Sequence, residues 1–465
     1  MSEAVRIEIT NYCNRKCAYC FFNDRLTPGR DEMSPADFNY ILDMCEKEDR
    51  KFVFIQGGEP TTHANFIGFI NILKKRGFRY NLFSNGIFKP ALLDELLIDK
   101  NDEILINFNH PSTLASEKEW ELVNKNLARM TEKGIQFSIG YNLYQSNPDY
   151  GYFIDAIRKY KIPHIRWDLA RPSAKFTNTY FSFDDLFKMT PVMVKFIKAY
   201  MNEGCPFAFD CPIPVCMILR KEFEFINSKT DVTTLTSHCG ALLNIGPGLN
   251  MASCPAGVSF KDITLRNFEW ISQAETFFNR EVDRVRWGVW YSDKCDDCIY
   301  RLMRECQGGC IGHKRLKEDK VIGPGQVAEF LREYRAGAQE GVPGFIAEQP
   351  RIVPAEHAER CLKRCERELK EAPNDPYTHY SLGRSCELLE NYDGAIKAYD
   401  GALAQDGGYL IAKNRLNLVY QLKGVKINPG NVGAWTRLES ALKQITGDKS
   451  KRDLLLKQYK ARYSK

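Results

Sequence analysis

Several features that would assign a class at once are missing from this chain of 465 residues. No stretch approaches eighteen consecutive apolar residues, so nothing reads as a membrane-spanning helix. The opening "MSEAVRIEIT" carries acids and no apolar run, which argues against a secretory signal there. An excess of one charge is also missing. The 65 Lys and Arg against 59 Asp and Glu leave a formal +6 spread along the chain, too little to argue for a nucleic-acid partner. The expectation from these absences is a soluble, cytoplasmic protein with no membrane partner. A disulfide framework is disfavoured on the same ground, because a reducing compartment keeps thiols free.

What is present is cysteine, sixteen of them, so metal or redox chemistry is the expectation. Three lie at 13 to 20, three at 205 to 216, two at 239 and 254, and four at 295 to 310. Cys45, Cys361, Cys365 and Cys386 stand outside these groups. The composition, 44% hydrophobic and 27% charged, is globular, and the length predicts two or three domains.

From residue 5 to about 200, short β-rich runs alternate with helical stretches, the pattern of βα units on a parallel sheet. Strands are predicted near 5–10, 52–56, 79–84, 103–109, 135–143 and 163–169, and helices near 34–48, 64–76, 90–98, 115–133 and 150–160. Six such units are too few to close an eight-stranded barrel, so an open, partial (βα)6 barrel is expected. Ligands of parallel α/β folds gather at the C-terminal ends of the strands. Three segments fall there: "ITNYCNRKCAYCFFND" after strand one, "IQGGEPT" after strand two and "FSNGIF" after strand three.

Cys13, Cys17 and Cys20 are three thiols where a structural zinc site wants four closed ligands. Zinc with a distant fourth ligand is one reading. An iron–sulfur cluster is the other, with three thiolates leaving one of four irons open to a ligand. Cys13-x3-Cys17-x2-Cys20 with Tyr19 before the last cysteine, followed by Gly57-Gly58-Glu59-Pro60, resembles the radical S-adenosylmethionine (SAM) enzymes. That resemblance implies a [4Fe–4S] cluster that binds SAM, a 5′-deoxyadenosyl radical that removes hydrogen from a substrate, and an electron donor such as flavodoxin or ferredoxin. It places Gly57, Gly58 and Glu59 at the methionine amino group and Tyr19 beside the adenine. Ser84, Asn85 and Asn142 would touch the ribose or methionine part, and Arg166 or Arg171 would meet the carboxylate as a fork. For the polar residues the plain alternative is a solvated loop or a satisfied turn.

Residues 201 to 320 hold most other cysteines. "HCGALLNIGPGLNMASCP" reads as a hairpin with a Gly-Pro-Gly turn and with Cys239 and Cys254 at its ends. In "CDDCIYRLMRECQGGC", Cys295, Cys298, Cys306 and Cys310 could form a zinc knuckle. After a radical SAM core, the order resembles the SPASM or twitch extension, which implies one or two auxiliary iron–sulfur clusters. The SPASM pattern needs eight cysteines, and residues 239–310 supply six. Cys216 or Cys211 could be the missing early ligand, and Cys216 is favoured.

A Gly- and Pro-rich stretch at 321–352 reads as a linker. Beyond it, 353–465 reads as an all-α helical-repeat domain: "NDPYTHYSLGRSCELLENYDGAIKAYDGALAQDGG" resembles a tetratricopeptide repeat, with Leu382, Gly383, Ala395, Tyr399 and Ala402 at packing positions. That alignment makes Cys361, Cys365 and Cys386 core residues. The expected substrate is a ribosomally made peptide or protein, to be crosslinked, thioether-bridged or epimerised. The alternatives are a small molecule such as an aminoglycoside or nucleoside sugar, and a non-catalytic zinc and repeat protein.

Overall fold

The computed structural model describes residues 4–26, 31–173, 175–201, 203–205, 207–209, 211–214, 243–252, 258–260, 262–288, 295, 306, 308–313, 320–339, 355–405, 407, 410–446 and 449–463. The chain divides into two compact units. The first comprises 1–218, 230–291 and 307–347, and the second 219–229, 292–306 and 348–465.

The first unit is built on parallel strands β1 (Ala4–Glu8), β2 (Phe52–Gln56), β3 (Arg79–Ser84), β4 (Glu103–Asn107), β5 (Phe137–Leu143), β6 (Ile165–Leu169) and β7 (Phe207–Phe209), paired in sequence order. Helices α1 (Pro35–Lys47), α2 (Phe66–Lys75), α3 (Leu92–Glu95), α4 (Glu117–Glu132), α5 (Gly151–Tyr160) and α6 (Phe183–Met201) connect them. This is an α/β fold compatible with the partial barrel expected, with seven parallel strands instead of six. β7 is three residues long, too short to show an alternation pattern.

The reason these segments fold so is local. Ser34 Oγ accepts from Asp37 N at 3.0 Å and Pro35 opens α1, the capping arrangement read from the sequence. Phe38, Ile41, Leu42 and Cys45 then fall on one buried face at helical spacing. A fully buried apolar side chain of this size contributes about 1.5–3 kcal/mol. Cys45 is packing of this kind.

The predicted hairpin is present as β8 (Asn244–Ile245) and β9 (Met251–Ala252), antiparallel across the turn at Pro247–Leu249. Unforeseen is where it docks: β8 pairs in parallel with the outer edge of β1, Arg6 against Asn244 and Ile7 against Ile245. The stretch expected as a linker contains a strand, Lys320–Ile322, and a helix, Pro324–Gln339. Its Gly323-Pro324 starts a helix at the position where proline is tolerated, which is why the composition misled.

The second unit carries six helices among its described residues: Ala355–Glu371, Pro376–Leu388, Tyr392–Gln405, Leu410–Ile427, Val432–Thr446 and Lys449–Tyr463. Each packs on the next. Cys361, Cys365, Cys386, Ala395, Tyr399 and Ala402 are all buried within it. A Cβ on Gly383 would meet the Tyr399 ring at 2.5 Å, so the two helices touch there through glycine.

Candidate active site: the Cys13–Cys20 loop

The cysteine loop is gripped by the segment after β2. Gly58 N donates to Thr10 O and Glu59 N to Tyr12 O, both at 2.8 Å, extending the β1–β2 pairing to the residue before Cys13. A Cβ on Gly58 would lie 2.1 Å from Tyr12 O, and one on Gly57 2.4 Å from Thr10 O. Only glycine allows that approach. The Gly-Gly pair thus holds the thiol loop in place.

Glu59 lies below and is 1% exposed. Its carboxylate accepts from Ser84 Oγ (2.8 Å), Asn85 N (2.7 Å), Thr61 N (3.2 Å) and Thr61 Oγ1 (2.7 Å). Burial nevertheless holds its pKa above the usual carboxylate range. With both oxygens engaged, Glu59 is a brace between the ends of β2 and β3, which differs from the direct ligand contact expected of it.

From β3, Asn85 Nδ2 reaches Asn14 Oδ1 at 2.7 Å and Cys13 Sγ at 3.9 Å, and Asn14 Nδ2 returns a bond to Ile87 O at 3.1 Å. Arg15 N donates to Cys13 Sγ at 3.4 Å. Burial pushes the Cys13 thiol up to about 11 and the Cys20 thiol up to about 12, so both are protonated at neutral pH. Tyr19 is buried, with its ring 4.7 Å from that of Tyr144 just past β5. Asn178 Nδ2 fixes this stretch through Tyr19 O at 3.0 Å.

The structure therefore brings Cys13, Gly58, Glu59, Ser84 and Asn85 together. Asn142 stands half-buried on β5, opposite Asp168 in register. Arg166 holds its guanidinium 4.8 Å from the centre of the Phe83 ring. Arg171 has a different place from that expected: it pairs with Asp168 Oδ1 at 2.8 Å and donates to Cys211 O at 3.4 Å. Cys295 and Cys306 belong to the second unit and Cys310 to the first. Cys216, Cys239, Cys254 and Cys298 lie outside the described residues.

Sequence reasoning missed Thr61, Asn14 and Asn126. Asn126 Nδ2 donates to Gly86 O (2.9 Å) and Phe88 O (2.8 Å), setting the turn after β3. Its signal was available, a polar residue on the apolar face formed by Val123, Leu127 and Met130. Arg15 and Asn85 border a narrow crevice that Asn107 and Asn109 also line. Among the described residues, the buried Asn109 carboxamide has no partner on either its nitrogen or its oxygen.

Residues 7–149 match the family model of the Radical SAM superfamily. This stretch is a radical SAM domain. Its cofactors are a [4Fe–4S] cluster and S-adenosylmethionine. Among the described residues no three His, Cys, Asp or Glu side chains are already gathered as a metal site, so the fit rests on the donor set. Three thiols on one glycine-held loop, with Arg15 N and Asn85 Nδ2 directed at Cys13 Sγ and the orphaned Asn109 carboxamide nearby, suit a cluster with a polar ligand.

Among similar proteins are the tungsten-containing aldehyde ferredoxin oxidoreductase cofactor-modifying protein of Pyrococcus furiosus and an S-adenosylmethionine-dependent nucleotide dehydratase of Selenomonas ruminantium. The first is 36% identical over 96 residues, 20% of this chain and 25% of that one. The second is 27% identical over 119 residues, 24% of this chain and 42% of that one. The chain thus spans less than half the length of these curated relatives. The crystal structure of Streptococcus suis SuiB bound to S-adenosylmethionine aligns with a TM-score of 0.44 at 16% identity, covering 59% of this chain and 66% of that one. No helix among the described residues is long and apolar enough to cross a membrane.

Proposed function

We propose that the chain is a radical SAM enzyme of oxidoreductase or maturase type, acting by hydrogen abstraction. The observation that carries this is the thiol loop clamped by Gly58 and Glu59 backbone bonds and by Asn85, at the C-terminal ends of β1 to β3. When bound, the cluster and SAM supply a one-electron cleavage whose 5′-deoxyadenosyl radical takes a hydrogen atom from substrate. The chain's own residues hold and orient. Cys13, Cys17 and Cys20 are the ligands, Gly57 and Gly58 present backbone to the methionine end, and Tyr19 lies along the adenine. Ser84 and Asn85 set the turn after β3, while Asn142 offers a polar contact near the end of β5 and Arg166 a charge from within β6. An auxiliary iron–sulfur domain of SPASM or twitch type accompanies the core, and a flavodoxin or ferredoxin supplies electrons.

For the substrate, the helical array of the second unit supports a ribosomally made peptide or protein, since stacked helix pairs of the tetratricopeptide kind present extended binding surfaces. A small nucleoside-like molecule is the second reading, supported by the named nucleotide dehydratase.

Anaerobic reconstitution tests the reading. A brown protein that converts SAM to 5′-deoxyadenosine under reductant is expected, whereas a colourless zinc protein without that product overturns it. Deuterium transfer into 5′-deoxyadenosine from a labelled peptide, against a labelled nucleoside, separates the two substrates.

A further inference from the structure

The last described helix of the second unit, Lys449–Tyr463, is held unlike those before it. The helices at 410–427 and 432–446 bury Leu418, Val419 and Leu422, and Leu438 and Leu442. In 449–463 the side chain of Tyr463 is the one buried among those described, while Leu455 and Leu456 are half-buried. The sequence explains this. Leu454, Leu455 and Leu456 are consecutive, and consecutive positions fall on different faces of a helix, so no apolar stripe forms at helical spacing.

What holds the helix instead is polar and lies at one corner. The Tyr463 and Tyr392 hydroxyls share a hydrogen bond, and Arg462 Nη1 pairs with Glu390 Oε1 at 3.0 Å. Tyr392 opens the helix 392–405 and Glu390 stands in the turn before it. The last helix thus reaches back past two others to the pair 376–388 and 392–405. The face it covers is knit by ion pairs. Arg415 Nη2 on 410–427 pairs with Glu387 Oε1 on 376–388, and Lys426 Nζ pairs with Glu390 Oε2, each at 3.0 Å. These two helices, the first of successive pairs, therefore stand side by side, and arrays of stacked pairs offer such extended surfaces to ligands. Lys426 takes one oxygen of Glu390, which leaves Oε1 for whatever helix lies on the face. Residues 449–463 carry six Lys and Arg against one Asp.

We propose that the face formed by 376–388 and 410–427 is a docking site for a basic helical segment of a partner protein, and that 449–463 is its internal occupant, a plug that such a segment displaces. The recognised groups are those the plug presents: a cation for Glu390 Oε1 and, on the next residue, a tyrosine hydroxyl for Tyr392. A helix with few buried apolar side chains opens at lower free energy than the array beneath it. The partner's apparent affinity is reduced by the fraction of time that the plug is in place. The inference concerns the array alone and stands whichever substrate the first unit takes.

The test uses the full-length chain and, as probe, a fluorescent synthetic peptide of residues 449–463. In hydrogen exchange, the amides of 449–463 should open at least about tenfold faster than those of 410–427, and equal protection overturns the plug. In the chain carrying Arg462→Ala and Tyr463→Phe, with its folding checked by exchange at 376–446, the peptide should bind about tenfold more tightly than to the unaltered chain. Binding that is no tighter overturns the docking site. Adding Glu390→Lys should abolish binding, and a peptide carrying Arg462→Glu should restore it, a rescue that a purely structural Glu390 would not show. Without that rescue the recognition assigned to Glu390 is overturned. A chain that pairs with itself in sedimentation and binds no peptide overturns the choice of occupant in favour of a second copy's 449–463.

Discussion

In the loop of Cys13, Cys17 and Cys20 the backbone does the holding. Gly58 and Glu59 donate their amides to Thr10 and Tyr12, and the thiols hang from a strand extension to which one side chain, Asn85, adds its bond at Asn14. At Cys211 and Cys310 the backbone approach through Gly309 is only the start, and the Arg171 side chain, from the segment after β6, ties in by donating to Cys211 O. A site built chiefly on main-chain bonds should suffer more from an added methyl group than from trimming a side chain. A site built on side chains should behave in the opposite way.

The largest effect separates the two outright. Cys17→Ala should reduce 5′-deoxyadenosine formation to background while the iron of the proposed auxiliary domain remains, as read by product analysis and iron counts. Loss of all iron would mean that the two sites are one.

Gly58→Ala comes next, because its Cβ would stand 2.1 Å from Tyr12 O and the backbone must give way. A loss of about 1–3 kcal/mol in denaturant unfolding is expected, with lowered iron occupancy at the front site only. An unaffected front site would show that the main-chain clamp is dispensable.

Asn85→Ala probes the side-chain support that reaches Cys13 from the end of β3. It removes the 2.7 Å bond to Asn14 and the contact with Cys13 Sγ, so SAM cleavage should fall about 10- to 100-fold while folding is kept. Single-turnover assays beside thermal melts would separate the two effects.

The smallest effect belongs to a pair outside both sites and calibrates them. His164 Nε2 sits 2.8 Å from Glu103 Oε1, and that hydrogen bond raises the imidazole pKa above its ordinary 6.5. A raised folded pKa means that the stabilisation is full below about pH 6.5 and is lost as pH rises through the folded value. His164 is nearly half exposed, so His164→Gln should cost under about 1 kcal/mol at pH 6 and less at pH 9, measured by urea titration.

What could be read in advance follows the range of the interactions. The strands at 52–56 and 79–84 are short apolar runs bounded by turns, and α1 is announced by Ser34-Pro35, all signals local in the chain. The thiol loop and the Gly-Gly segment were legible for the same reason. Glu59 reads from the sequence as a site residue, but its bonds to Ser84 and Asn85 depend on β2 pairing with β3, which spacing does not reveal. Arg171 was sought at the SAM carboxylate because it follows β6, and its turn toward Asp168 is a tertiary fact.

The docking of β8 on β1 has a consequence for how the chain is made. β1 leaves the ribosome long before its outer neighbour, which is not synthesised until residue 244. Through all of that interval β1 presents unpaired amides and carbonyls along one edge, the surface on which strands of separate chains join. The hairpin at 244–252 is thus a late seal on an early strand. Nascent chains halted before it should cross-pair and aggregate, and those released after it should stay apart.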